Sequence, residues 1–182
     1  TILDGGMGGE IQKRMDGAGK GLWSAKALME EPEIVVGLHQ EYIEAGARMI
    51  ITNTYSTVPS YLAKAGLEQD FERFTALGAE LAREAVNRSQ ENVQVAGSLP
   101  PLSESYRPDL VPDELEATPI YAALVQALEP YVDLYLCETM STADEAFHAA
   151  SQAKQLGGGK PVYVAWTLDE EPGKGLRSGE SV

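Results

Sequence analysis

Asp4 and Glu138 are acids placed where apolar, β-rich runs end, Ile2–Leu3 and 132–136. Two carboxylates facing one mouth can exchange protons, bind a metal ion or hold an ammonium group. An acid directly after a buried strand is costly unless paired, and this singles out Glu138. Asp4 reads equally well as a turn residue that bonds its own backbone ahead of Gly5. Other polar residues stand at the ends of comparable runs: Thr52, Asn53, Thr54 and Tyr55 after 49–51, Ser98 after 93–96, and Thr167 and Asp169 after 161–166. His39 and His148 each stand alone, with no second His or Cys three or four residues away, and read as structural. Cys137 reads as a small buried residue, because no histidine occupies another strand end to activate it. Trp23, Trp166, Tyr55 and Tyr106 fall near expected loops, with core packing the default and contact with a sulfonium or ammonium the other option. No residue of the chain is assignable as catalytic from type and spacing alone.

These residues need a scaffold, and the hydrophobic pattern predicts one. Five short runs read as strands: Ile2–Leu3, 49–52, 93–96, 132–136 and 161–166. They are continuous rather than alternating, as in strands buried on both faces. Apolar stripes of helical period lie between them: Ile34, Leu38, Tyr42 and Ala45; Phe74, Leu77, Leu81 and Ala85; Ile120, Leu124, Leu128 and Tyr131; and Ala143, Ala146, Phe147, Ala150 and Leu156. Thr142-Ala143-Asp144-Glu145 predicts a capping box, and Gly46, Gly66 and Gly157 predict helix ends. Strand and helix in regular alternation mean parallel βα units. The first turn, Asp4-Gly5-Gly6-Met7-Gly8-Gly9, has neither G-x-G-x-x-G spacing nor the Gly-Lys-Ser/Thr ending of a phosphate loop. An eight-stranded (β/α)8 barrel therefore fits better than an open doubly wound sheet. A complete barrel takes roughly 250 residues, so residues 1–182 are expected to supply about the first five βα units of a single domain. The outer strands would then be open parallel edges.

Composition narrows the partners. Lys and Arg number 14 against 28 Asp and Glu, a formal charge of −14 with no concentrated basic patch. A nucleic-acid backbone would be repelled. One cysteine permits neither an intramolecular disulfide nor a multi-thiolate metal site within these residues. With no membrane-length apolar run and no signal peptide, the expectation is a cytoplasmic protein.

Several motifs, in order and spread over the whole chain, resemble the homocysteine S-methyltransferase family. They are Leu3-Asp4-Gly5-Gly6-Met7-Gly8-Gly9-Glu10-Ile11; Trp23-Ser24-Ala25 with Pro32; His39-Gln40-Glu41-Tyr42 through Ala47; Ile50-Ile51-Thr52-Asn53-Thr54-Tyr55; Gly97-Ser98; Tyr106-Arg107-Pro108-Asp109; Glu138-Thr139-Met140; and Arg177-Ser178-Gly179-Glu180. Gly9 departs from the Thr that many members carry there. The resemblance implies a TIM barrel that moves a methyl group to the thiol of homocysteine, giving methionine. It implies zinc held by three cysteine thiolates of later strands, which are expected beyond Val182; none of them is within 1–182. It carries Asp4 and Glu138 over as holders of the amino-acid part of homocysteine, with Thr52, Asn53 and Thr54 lining the pocket and Ser98 on the same wall. The Asn53-Thr54-Tyr55 motif resembles the small bacterial branch that uses S-methylmethionine or S-adenosylmethionine. The homocysteine domain of a betaine- or cobalamin-dependent enzyme, and a non-catalytic homocysteine-binding remnant, are the alternatives.

Overall fold

Parallel pairing places every strand's C-terminus at one end of the sheet. In the computed structural model, which describes residues 1–15 and 24–181, β1 (Met49–Ile51), β2 (Gln94–Leu99), β3 (Leu134–Met140) and β4 (Val162–Trp166) lie side by side in chain order. All three pairings are parallel, with Ile51 opposite Ala96, Leu99 opposite Cys137 and Met140 opposite Trp166. The expected first strand contributes only a parallel bridge, Leu3 to Met49. Each new strand therefore adds at the same edge. That is the winding of a barrel; a doubly wound sheet would reverse its strand order.

Seven α-helices connect the strands: α1 (Met7–Arg14), α2 (Ala25–Glu30), α3 (Pro32–Glu44), α4 (Pro59–Leu62), α5 (Phe71–Arg88), α6 (Glu114–Leu128) and α7 (Ala143–Leu156), among the described residues. The first three were expected only in part, since α1 and α2 lack a long apolar stripe. In α3 the buried face is Val35, Val36, Leu38, His39 and Ile43, rotated from the expected stripe; Ala45 is exposed. In α6, Asp113 is the N-cap, its carboxylate accepting from the Glu116 N–H, and Tyr121 rather than Ile120 fills the core. In α7 the small residues Ala146, Ala149 and Ala153 form the contact face, and Phe147 is left exposed. The capping box at α7 is modified. Thr142 accepts from the Glu145 N–H at 3.0 Å, but the Glu145 carboxylate reaches back to the Ser141 N–H, at 2.7 Å. Glu180 adds a second carboxylate there, accepting from the Ala143 N–H at 3.1 Å.

The main core lies between the sheet and α5, α6 and α7 and is built from residues such as Ile50, Val95, Leu124, Leu128 and Tyr135. A second cluster, with Ile11, Leu28, Val35 and Leu38, packs α1 to α3 together beside the first turn. Among the described residues the sheet does not close: Ile2 and Leu3 at one edge, and Tyr163 and Trp166 at the other, are exposed. Within these residues Trp166, at the open edge, and Tyr106 are exposed. Trp23, and Val182, past which the zinc cysteines are expected, lie outside the described residues. Among the described residues no helix is long and apolar enough to cross a membrane.

Candidate active site

The sheet's C-terminal end opens into a cleft of about 430 Å³. Asp4 and the glycine turn behind it form one wall, Thr52, Asn53 and Tyr55 a second, and Glu138 and Thr139 a third. The glycine turn passes close to α3: a Cβ on Gly5 would stand 2.8 Å from the Tyr42 ring, whose hydroxyl donates to the Gly6 carbonyl at 3.2 Å. Only glycine leaves room for that approach.

Asp4 is influenced by its own backbone N–H but also reaches well beyond its turn. Its Oδ2 accepts from the Ile51 N–H, 47 residues away, at 2.9 Å, and this ties the first turn to the end of β1. Its Oδ1 is buried and has no hydrogen-bond partner among the described residues. Burial, reinforced by the charge of Glu138 and opposed by the backbone hydrogen bonds, pushes Asp4 up to about 7. Glu138 is raised as well, again by burial, while a 2.5 Å hydrogen bond donated by the Ser98 hydroxyl acts against the rise. Two partly desolvated acids facing one cleft form a site that gains from an arriving cation.

Local irregularity aims Glu138. The β3–β4 pairing slips between Cys137 and Met140, and Thr139 sits at φ +62°, a region that a β-branched residue seldom occupies. In an unbroken strand, consecutive side chains face opposite ways. Here Glu138 and Thr139 both line the cleft. Sequence reasoning had no handle on this bulge.

The remaining expected residues divide by position. Thr52 lines the cleft, and its Oγ1 accepts from the Ser98 N–H at 3.0 Å. Asn53 also lines it and donates to the Ser24 carbonyl at 3.2 Å. Thr54 is buried behind the wall, where its methyl packs so closely on α5 that a Cβ on Gly78 would come within 2.7 Å. Ser98 is not a wall residue either; it reaches the site through Glu138. Thr139, expected at the end of the fourth strand, lines the cleft as well, and Tyr61 and Ser105, which were not singled out from the sequence, also line it. The Tyr55 hydroxyl and Ser105 Oγ lie 2.6 Å apart, which pins the β2–α6 loop across the opening. Tyr106, at φ +63° on that loop, packs under the Arg177 guanidinium at 5.2 Å.

No metal fits these residues. Among the described residues no three His, Cys, Asp or Glu side chains converge. Cys137 is fully buried outside the cleft, and burial pushes its thiol up to about 12, so the metal-binding thiolate is disfavoured.

Comparison with known proteins identifies the family and the fold. The homocysteine S-methyltransferase family profile matches residues 1–182. The chain belongs to this family. Homocysteine S-methyltransferase YbgG of Bacillus subtilis (strain 168) is 32% identical over 182 residues, covering 91% of this chain and 56% of the relative. Homocysteine S-methyltransferase of Escherichia coli (strain K12) is 32% identical over 158 residues, covering 79% and 51%. The chain thus spans a little over half the length of these curated relatives. Among solved structures, the metallated form of the homocysteine methyltransferase MmuM from Escherichia coli superposes with a TM-score of 0.85 at 29% identity, covering 99% of this chain and 67% of that one. The four strands and the Leu3 bridge are therefore part of the family's TIM barrel.

Proposed function

We propose that this homocysteine S-methyltransferase family chain forms the homocysteine-binding part of an enzyme that transfers a methyl group from a sulfonium donor to homocysteine, giving methionine. The observation that carries the reading is the pair Asp4 and Glu138, two carboxylates that have no lysine or arginine partner among the described residues, on facing walls of one cleft. The α-ammonium of homocysteine is the natural occupant, because charge-assisted hydrogen bonds to it would restore both acids to their ionised form. Thr52 and Asn53 would line the pocket beside it, with Thr54 and Ser98 acting from behind.

In the transfer itself the homocysteine sulfur attacks the donor's methyl carbon as a thiolate. A new S–C bond forms, the donor's C–S⁺ bond breaks, and its electron pair stays on the donor sulfur, which leaves as a neutral thioether. The thiol proton goes to solvent. The donor is read as S-methylmethionine or S-adenosylmethionine from the Asn53-Thr54-Tyr55 motif, with the Tyr55 ring at the cleft available to a sulfonium. Zinc belongs to the reading of the whole protein. The three cysteines that the resemblance implies are not among residues 1–182, and no step is assigned to zinc through the residues present. The reading includes a cytoplasmic location, with which the free, buried Cys137 is compatible.

The test is homocysteine affinity and methionine formation by the full-length protein and its Glu138→Gln variant. The variant should bind homocysteine about 10- to 100-fold more weakly, the value of a charge-assisted hydrogen bond of about 1.5–3 kcal/mol, with its metal content unchanged. Loss of metal at unaltered homocysteine affinity would reverse the assignment of Glu138.

A further inference from the structure

His39 is enclosed in the α3 face that backs the first turn, with nothing of its side chain exposed. Neither ring nitrogen has a hydrogen-bond partner among the described residues. A neutral imidazole carries one N–H donor and one acceptor, and leaving both unmade in the interior is a cost that an apolar side chain of similar volume would avoid. Packing alone therefore does not account for a histidine here. The acid within 4 Å of it, among the described residues, is Asp4: Nδ1 of His39 stands 3.9 Å from Oδ2, about 1 Å longer than a typical N–H···O hydrogen bond. Asp4 is the complementary case, with Oδ2 bonded to the Ile51 N–H and Oδ1 unpartnered.

We propose that His39 is a positioning residue for Asp4, its Nδ1–H closing onto Oδ2 when a cation engages Oδ1, so that the charged carboxylate is held aimed at the cleft. The proposal rests on the reading of Asp4 as a holder of the homocysteine ammonium. A neutral donor suits this task. Lysine or arginine in its place would neutralise Asp4 permanently and compete with the ligand's ammonium, whereas the imidazole adds a hydrogen bond without adding charge. Burial pushes His39 down to about 4, so the ring is neutral throughout the working range. The groups facing Asp4 are Glu138 from β3, the Ile51 N–H from β1, and His39 and Tyr42 from α3; Glu10, Lys13 and Arg14 of α1 act on Tyr42 beyond it. Glu138 disfavours the Asp4 charge and the Ile51 N–H favours it. An engaged His39 would add to the second side.

The experiment compares the full-length protein with His39→Leu, His39→Asn and Asp4→Asn, reading homocysteine KM, kcat and the pH profile of kcat/KM. Asparagine keeps a donor near the place of Nδ1, and leucine does not. His39→Leu should raise homocysteine KM about tenfold at pH 7 and move the acid limb upward by about one pH unit, with kcat at saturation within twofold. His39→Asn should recover most of both. A purely packing role for His39 would lower the folded fraction without moving the acid limb, and that result overturns the proposal. If Asp4→Asn raises KM while His39→Leu leaves KM and the acid limb unchanged, the positioning role alone fails. If Asp4→Asn leaves KM unchanged, the reading of Asp4 fails and takes this proposal with it. Should His39→Leu not fold, ¹⁵N-histidine spectra of the otherwise unaltered protein decide. Homocysteine should convert His39, assigned by His39→Asn, to an Nδ1-protonated ring whose proton exchanges slowly, and a ring that stays protonated at Nε2 overturns the proposal.

Discussion

The Ser98 hydroxyl donates a 2.5 Å hydrogen bond to Oε1 of Glu138 across the β2–β3 pairing, forty residues apart in the chain. A residue that does not line the cleft thereby governs the charge of one that does. The bond favours the ionised carboxylate and opposes the rise that burial imposes.

Removing that bond should therefore act on substrate charge recognition. Ser98→Ala leaves Glu138 buried without its donor, so its pKa rises further. Homocysteine affinity near neutral pH should fall about tenfold, in line with a hydrogen bond to a charged group. The acid limb of kcat/KM should move to higher pH, because more of the carboxylate is protonated at a given pH. An unchanged limb in a steady-state pH series would separate Ser98 from the Glu138 charge.

Asp4 should cost the ligand-free protein stability. Its folded value of about 7 lies above its ordinary 3.8, so between those values the folded state holds a proton that the unfolded chain has released. Stability contributed by this group is full below about 4 and is lost as pH rises through 7. Asp4→Asn removes the dependence. The variant should be more stable than its parent by roughly 4 kcal/mol at pH 8, with the gap narrowing to less than about 2 kcal/mol at pH 5 and closing near pH 4. Urea denaturation of the full-length protein at these pH values measures it, and a gap independent of pH would contradict the assignment.

Cys137 should be inert. Its thiol is enclosed in the main core, and burial pushes it up to about 12. Iodoacetamide at pH 8 should leave it unmodified in the folded protein and label it in urea, as peptide mass spectrometry would report. Cys137→Ala should cost about 1–2 kcal/mol through lost packing and leave methyl transfer within twofold. Rapid labelling of the folded protein would place the thiol in the cleft.

The order of strands and helices was legible because buried parallel strands are continuous apolar runs and their covering helices carry one stripe. Asp4, Thr52 and Glu138 were legible as site candidates because parallel pairing sends all strand ends to one side. Finer placement was not. The buried face of α3 turns to Val35, Val36 and Ile43 because α1, α2 and α5 close on it together. Phe147 stays outside because the alanines beside it allow closer packing. Both are decided by neighbouring elements that local spacing does not describe.

Residue type and spacing by themselves determined the βα repeat, the acid-bearing strand ends and, through ordered motifs, the family. Tertiary structure alone decided how the charges are managed. Asp4 reaches across to Ile51, Ser98 acts on Glu138 from behind the wall, Thr139 takes a strained backbone so that it and Glu138 face the same way, and His39 comes to rest against Asp4. Each relationship joins residues on different elements or depends on a slip in strand pairing. A carboxylate's charge in a cleft is set by burial and by donors a few ångströms away, and those distances exist only once the sheet and its helices have closed around it.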